Sequence, residues 1–142
     1  TLSASSSANT VKLFNANRTV VSSMSEMTDF KARQALSKSD VLTNIAGRAS
    51  DHTHALTASA GQTITLSQPI TDVVLTYAIV AFDSGGSTCS SEKNFTAQAW
   101  LSDSVTLPAN TAYIMIAFKR GDGASDFSES ELALLPSALT IS

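Results

Sequence analysis

The chain has 142 residues with a net charge of -3, and only 15% of them are charged, against 43% that are hydrophobic. Nucleic-acid partners require clustered Lys and Arg, which the sequence lacks, so we expect no nucleic-acid binding. The longest apolar run, VVLTYAIVAF at 73–82, is about half of the roughly 20 residues that a transmembrane helix needs, so we expect no membrane insertion. A single cysteine excludes a disulfide within the chain.

Residues 1–60 give weak signals and are predicted to form an extended shaft- or collar-like segment. TVKLF and RTVVSS predict two short strands around a turn-like NAN at 15–17. MSEMTDFKARQALSK predicts a short helix at about 25–38, because its apolar residues recur at roughly helical spacing. Residues 39–60 show no clean period and little apolar content, so we expect them to be disordered or to be ordered by other chains.

From Gly61 onward, longer apolar runs alternate with turn signals. About six short strands with turns between them predict a mainly β fold, an antiparallel jelly-roll-like β-sandwich over 61–142. The runs are QTITLSQ, DVVLTYAIVAF, NFTAQAWLS, SVTLP, AYIMIAFK and ELALLPSALTIS. The last run contains Pro136, which favours an edge strand or two separate pieces.

The two longest predicted strands, at 73–82 and 113–118, are apolar on both faces. An antiparallel strand with one solvated face should alternate apolar and polar residues. One face can fill the sandwich core, and the other needs a cover. We expect a neighbouring copy of the chain to provide it, although a strand central to a monomeric sandwich is the alternative.

The only two histidines, His52 and His54, lie two residues apart in SDHTHAL. On an extended chain both would project from one face, roughly 7 Å apart. One chain would not close a tetrahedral zinc site with them. Three chains around an axis would present enough imidazoles for an octahedral metal ion, which favours iron over zinc. Two solvated histidines in a polar linker are the alternative.

Three segments resemble tail-fibre and spike-tip proteins of tailed bacteriophages. DHTHALTASAG is similar to the His-x-His segments of these trimers, and DFKARQALSKSDV is similar to their ARxAL segments, with Ser37 in place of the usual Gly. GQTITLSQPITDVVLTY resembles the opening strands of fibre tips. The resemblance covers roughly 29–80 and implies an intertwined homotrimer in the virion, with possible iron held on the trimer axis by His52 and His54.

The resemblance also implies the function, which is recognition of a bacterial surface receptor (a polysaccharide, lipopolysaccharide or outer-membrane protein) during host adhesion, without enzymatic activity. Loops at 83–94 and 119–131 are the expected contact surface, because loops on a rigid scaffold usually carry recognition. The candidate binding residues are the aromatic Trp100, Tyr77 and Tyr113 and the loop-associated Asp83, Ser84, Lys119, Arg120 and Asp122. A carbohydrate-binding or trimerisation module of a tailspike depolymerase, or a purely structural virion component, remains an alternative.

Two further motifs are better explained as turns. DSGG at 83–86 is similar to the nucleophile loop of serine proteases, but no base and orienting acid are placed for a triad. RGD at 120–122 could be presented to an integrin, yet a three-residue match is weak and a charged turn explains it better. We therefore predict no catalytic residues.

Overall fold

The computed structural model describes residues 9–13, 16–34, 45–71, 73–89, 100–121 and 125–142. As predicted, the chain is mainly β, and these ranges contain ten strands, one α-helix and two 3-10 turns. The strands are β1 (Thr10–Leu13), β2 (Ala16–Val21), β3 (Phe30–Ala32), β4 (Arg48–Asp51), β5 (His54–Thr57), β6 (Thr63–Leu66), β7 (Leu75–Phe82), β8 (Val105–Thr106), β9 (Tyr113–Arg120) and β10 (Leu139–Ile141). Helix α1 spans Glu129–Leu134, and the 3-10 turns lie at Met24–Glu26 and Leu135–Ser137. None of the helices in these ranges is long and apolar enough to cross a membrane.

The larger sheet has seven strands and is organised around β9. β7 pairs antiparallel with β9 along its whole length, from Leu75 opposite Arg120 to Phe82 opposite Tyr113. On the other edge of β9, β4 and β5 lie end to end. β4 pairs in turn with β3, whereas β5 pairs with β2, which pairs with β1. The β2–β5 pair is parallel, so the sheet is mixed, whereas the strand pairs described within 61–142 are antiparallel, as predicted for that segment.

An irregular stretch with extra residues, here called the bulge, separates β4 from β5. Ser50 pairs with Ala117 and Leu56 pairs with Ile114, so residues 51–55 span the stretch of β9 occupied by Met115 and Ile116. The surplus residues loop out at 52–53, where the chain bends. Extra residues on one strand bend it and increase its twist. The bulge is therefore where the sheet divides into its β2 and β3 branches.

The main core lies between one face of the large sheet and a second, three-stranded sheet of order β10-β6-β8. Alternate residues of β7 and β9, including Ile79 and Ile116, enter this core from the large sheet. Ile64 and Leu139 enter it from the small sheet. Two layers that enclose one core give a sandwich-like arrangement. Strands β6 to β9 lie where the strand-forming runs predict them.

The opposite face of β7 and β9 is also buried within the single chain. Val80, Phe82, Met115 and Ala117 are all at most 2% exposed and pack with Leu13 of β1 and Ala55 of β5 in a second core. The prediction that this apolar face needs a neighbouring copy to cover it is therefore wrong. The β1–β2 hairpin, the parallel β2–β5 pair and Trp100 contribute to this side of the sheet.

Three local predictions are also wrong. The helix predicted at about 25–38 is a single 3-10 turn followed by strand β3, and 35–38 lie outside the described residues. Within 39–60, where we expected no order from the chain itself, β4 and β5 are internal strands of the sheet. The strand predicted for ELALLPSALTIS is helix α1, a 3-10 turn containing Pro136, and only then β10. Because β5 pairs with β9, the sheet also crosses the predicted boundary at residue 60.

Candidate functional site

The two loops predicted to form one contact surface lie at opposite ends of β9. Asp83 and Ser84 follow β7 at the Tyr113 end, whereas Lys119 and Arg120 close β9 at its other end. At about 3.4 Å per residue these ends are roughly 24 Å apart. The predicted binding residues therefore divide into two separate groups.

At the Lys119 end, three side chains form a cluster that we name the Trp100 cluster: Trp100, Arg48 and Lys119. The Arg48 guanidinium carbon lies 5.1 Å from the centroid of the indole ring, and Lys119 Nζ lies 6.0 Å from it. Arg48 and Lys119 are direct cross-strand partners on β4 and β9, so their side chains leave the same face of the sheet. All three residues are half-buried, which leaves part of each accessible.

The neighbouring row of this sheet face is made of small residues. Ala78, Ala117 and Ser50 lie side by side across β7, β9 and β4, and all three are fully buried. The Ser50 hydroxyl has no hydrogen-bond partner among the residues that the structure describes. Trp100 packs against the second core, to which Ala117 belongs. The cluster thus joins an aromatic ring, two cations and a row of small residues on one sheet face.

Tyr77 and Arg120, although predicted as binding residues, face the other side of the sheet. Tyr77 is fully buried in the main core, and its hydroxyl donates to the Asp103 carbonyl at 2.5 Å. Burial, and then the nearby Asp103 carboxylate, raise the pKa of Tyr77 to about 12. Arg120 lies over the Phe127 ring and donates to Glu131 Oε2 at 2.6 Å. Because Arg120 is only 9% exposed, it is a structural ion-pair residue and not the accessible start of an RGD loop.

The second group surrounds the turn after β7. Asp83 Oδ1 accepts hydrogen bonds from the backbone amides of Gly85 and Ser87, so this carboxylate stabilises its own turn. An open depression of about 520 Å³ lies beside it, lined by Asp83, Ser84, Gly85, Ser87, Asn110, Thr111 and Ala112. Tyr113 is half-buried against the second core. Neutral hydroxyls dominate here, and the one acidic group is already engaged.

His52 lies in the bend between β4 and β5, where the chain is not extended, and His54 is the first residue of β5. His54 Nδ1 is 2.8 Å from Asp51 Oδ2, and Asp51 is fully buried. The His52 carbonyl accepts from the Arg18 guanidinium at 2.6 Å. The geometry from which we predicted a shared strand face is therefore absent, and the described residues of one chain contain no group of three or more His, Cys, Asp or Glu able to hold a metal. Iron shared between copies stays a prediction.

The structure thus brings together two of the predicted binding residues, Trp100 and Lys119, and adds Arg48, which sequence reasoning missed. Arg48 lies in a stretch without hydrophobic period, so only the register of β4 on β9 places it beside Lys119. Asp122 lies outside the described residues. No protein-family model, curated protein sequence or solved structure matches this chain.

Proposed function

We propose that this chain is a receptor-binding module from the fibre or spike tip of a tailed bacteriophage, and that it recognises a saccharide of the bacterial surface. The observation that carries the proposal is the Trp100 cluster. The indole ring of Trp100 is half-buried, so part of it can contact a sugar ring while the residue packs against the second core. Arg48 and Lys119, which lie over the ring, supply hydrogen-bond donors for the sugar's oxygens.

The chemistry of the site favours binding over bond-making. A few polar groups that converge beside an aromatic surface fix the orientation of a ligand. In the part of the chain that the structure describes, the Trp100 cluster contains neither a nucleophile paired with a base nor two facing carboxylates. Recognition without catalysis is the activity that this arrangement supports best.

The homotrimer and its place in a virion belong to the same proposal and are supported by the resemblance alone. The apolar face that predicted a neighbouring copy is buried inside one chain, so it no longer favours assembly. Three copies on one fibre would multiply weak saccharide contacts into avidity without any new contact. Under this proposal, each chain folds by itself and the trimer serves binding strength.

Binding to cells and to extracted surface polysaccharide tests the proposal. We expect the wild-type chain to bind whole bacteria of a susceptible strain, and soluble polysaccharide from that strain to compete. Trp100→Ala should abolish binding. Tyr113→Ala, which truncates the other half-buried aromatic residue of the same sheet face, should retain it.

Because Trp100 packs against the second core, a direct measurement on the unaltered chain is also needed. Trp100 is the only tryptophan, so its fluorescence reports on this site alone. We expect polysaccharide to change the emission of the wild-type protein. A chain that binds cells with unchanged emission, or that binds neither cells nor polysaccharide, would contradict the proposal; the latter result would favour a structural virion component.

A further inference from the structure

We infer that the Trp100 cluster selects an anionic sugar, one that carries a carboxylate or a phosphate, and that Arg48 and Lys119 together bind this group. The inference rests on the proposed function and adds to it the charge of the ligand. Three observations carry it: the direct opposition of two cations, their lack of carboxylate partners among the described residues, and the geometric match of an arginine and a lysine to an anion.

The first observation is that like charges face each other across a strand pair. Arg48 and Lys119 are directly opposite on β4 and β9, where side chains lie about 5 Å apart at Cβ. Like charges in such positions destabilise a sheet. The indole ring attracts both cations through its quadrupole but carries no negative charge to neutralise them. The pair is thus better explained by a ligand than by the stability of the fold.

The second observation is that three other cations among the described residues are matched with acids. Arg33 pairs with Asp126 at 2.7 Å, Lys31 with Asp29 at 3.3 Å and Arg120 with Glu131 at 2.6 Å. Acidic residues outnumber basic ones, 12 against 9. Even so, neither Arg48 nor Lys119 has a carboxylate partner among the residues that the structure describes. Within the described part of this acidic chain, two adjacent cations without a carboxylate partner favour an anion as the ligand.

The third observation concerns geometry. The planar fork of an arginine matches the two oxygens of a carboxylate or phosphate, and a lysine adds a point charge. An acidic sugar bound against the accessible part of Trp100 would place its charged group against the cations. Both a uronate and a sugar phosphate have this shared chemistry.

Titration of Trp100 fluorescence with matched ligands tests the inference and separates the two sources of charge. The ligand pairs are galacturonate oligomers against galactose oligomers, and mannose phosphate against free mannose. We expect the charged member of at least one pair to bind at least about tenfold more tightly, and added salt to weaken it, because charge-assisted hydrogen bonds carry the difference. Whichever pair shows the difference identifies the anion.

The variant R48Q/K119Q removes the two cations, and K12Q is a control that removes a cation from an exposed position outside the Trp100 cluster. We expect R48Q/K119Q to bind the acidic ligand at least about tenfold more weakly, and to bind its neutral counterpart as the wild type does. The control should bind both ligands as the wild type does. R48Q/K119Q should also unfold at the same or a higher urea concentration, since it removes a like-charge pair.

Two results would overturn the inference. One is equal binding of neutral and acidic ligands by the wild type, which leaves the proposed saccharide recognition intact. The other is marked destabilisation of R48Q/K119Q relative to K12Q, which would show that the cations are structural supports for Trp100. Absence of any saccharide binding, neutral or acidic, overturns the proposed function itself.

Discussion

Asp51 holds the bulge that divides the large sheet. Its buried carboxylate accepts hydrogen bonds from the amides of Asp29 at 3.1 Å, Thr53 at 2.8 Å and His54 at 2.9 Å, and it contacts His54 Nδ1 at 2.8 Å. A carboxylate is an acceptor only, which suits a position surrounded by donors. This one side chain therefore replaces the ladder hydrogen bonds that the looped-out residues cannot make.

Asp51→Asn is expected to lower the free energy of unfolding by about 2–3 kcal/mol, because the new amide would face donors with a donor of its own. Urea denaturation measures the change. Asp103→Asn, at an exposed position, is the control and should stay within about 0.5 kcal/mol of the wild type. A loss from Asp51→Asn no larger than that of the control would show that the backbone holds the bulge without this carboxylate.

Tyr77 should make the fold sensitive to alkaline pH. Its folded-state pKa is raised to about 12, above the unfolded value near 10, because the phenol is buried. Between these two values the unfolded chain has released the proton and the folded chain has not, so stability falls as pH rises through this window. The slope should approach about 1.4 kcal/mol per pH unit.

Tyr77→Phe should remove most of this alkaline loss, at a cost of about 1 kcal/mol near neutral pH for the hydrogen bond to Asp103. Urea midpoints measured at several pH values report both effects. The Tyr113→Phe variant provides the comparison, because Tyr113 is the only other tyrosine and is half-buried. An equal alkaline loss in Tyr77→Phe and the wild type would assign the loss to another group.

At the scale of elements, the turn after β7 is fitted closely against β1. Gly86 has φ of +86°, and a Cβ added there would lie 2.3 Å from the Lys12 carbonyl oxygen. Only glycine adopts this conformation without strain, and only glycine leaves room for the neighbouring backbone. The turn thereby brings β1 against the end of β7, where Leu13 joins the second core.

Gly86→Ala should cost at least about 2 kcal/mol, from the left-handed backbone and the displacement of β1. Gly85→Ala is the matched control in the same turn. Its Cβ would lie 3.4 Å from Asp83 Oδ1, an ordinary contact, so we expect a change within about 0.5 kcal/mol. Equal effects of the two substitutions on the urea midpoint would show that this turn does not support β1.

The sequence predicts some of these elements well and others poorly, for physical reasons. The runs that became β6, β7 and β9 are long or cleanly alternating, so their periodicity is unambiguous. The helix predicted at about 25–38 depended on a few apolar residues, and Met27 and Phe30 instead enter the main core from a 3-10 turn and a strand. Tertiary packing outweighed a weak local preference there.

The candidate site was predictable only in part. Trp100 and Lys119 were identifiable as an aromatic residue and a cation near loops, but nothing local indicates that they meet. Their contact depends on the register of β9 against β4 and on Trp100 lying over that row, both of which join residues distant in sequence. For the same reason Arg48 was missed, and Tyr77 was named as a binding residue although it is buried in the main core.

At the scale of the whole molecule, strands β7 and β9 are buried on both faces within one chain. Apolar residues on both faces of β7 and β9 predicted a partner chain, and the structure satisfies them with two cores in one chain. The first of these cores uses the small sheet, and the second uses β1, β5 and Trp100. The N-terminal segment, which we expected to need companions, is the part that covers the second face.

This arrangement predicts that folding does not depend on concentration. An obligate trimer has no stable folded monomer, so its unfolding midpoint rises with protein concentration by mass action. Here both apolar faces are buried without a partner, so we expect the urea midpoint of the chain to stay constant over about a hundredfold range of concentration. Leu13→Ala should lower the free energy of unfolding by about 2–5 kcal/mol, because it opens a cavity in the second core. The midpoint should therefore fall by the same amount at every protein concentration. A midpoint that rises with concentration would show instead that copies of the chain share the burial of this face, as an intertwined trimer requires.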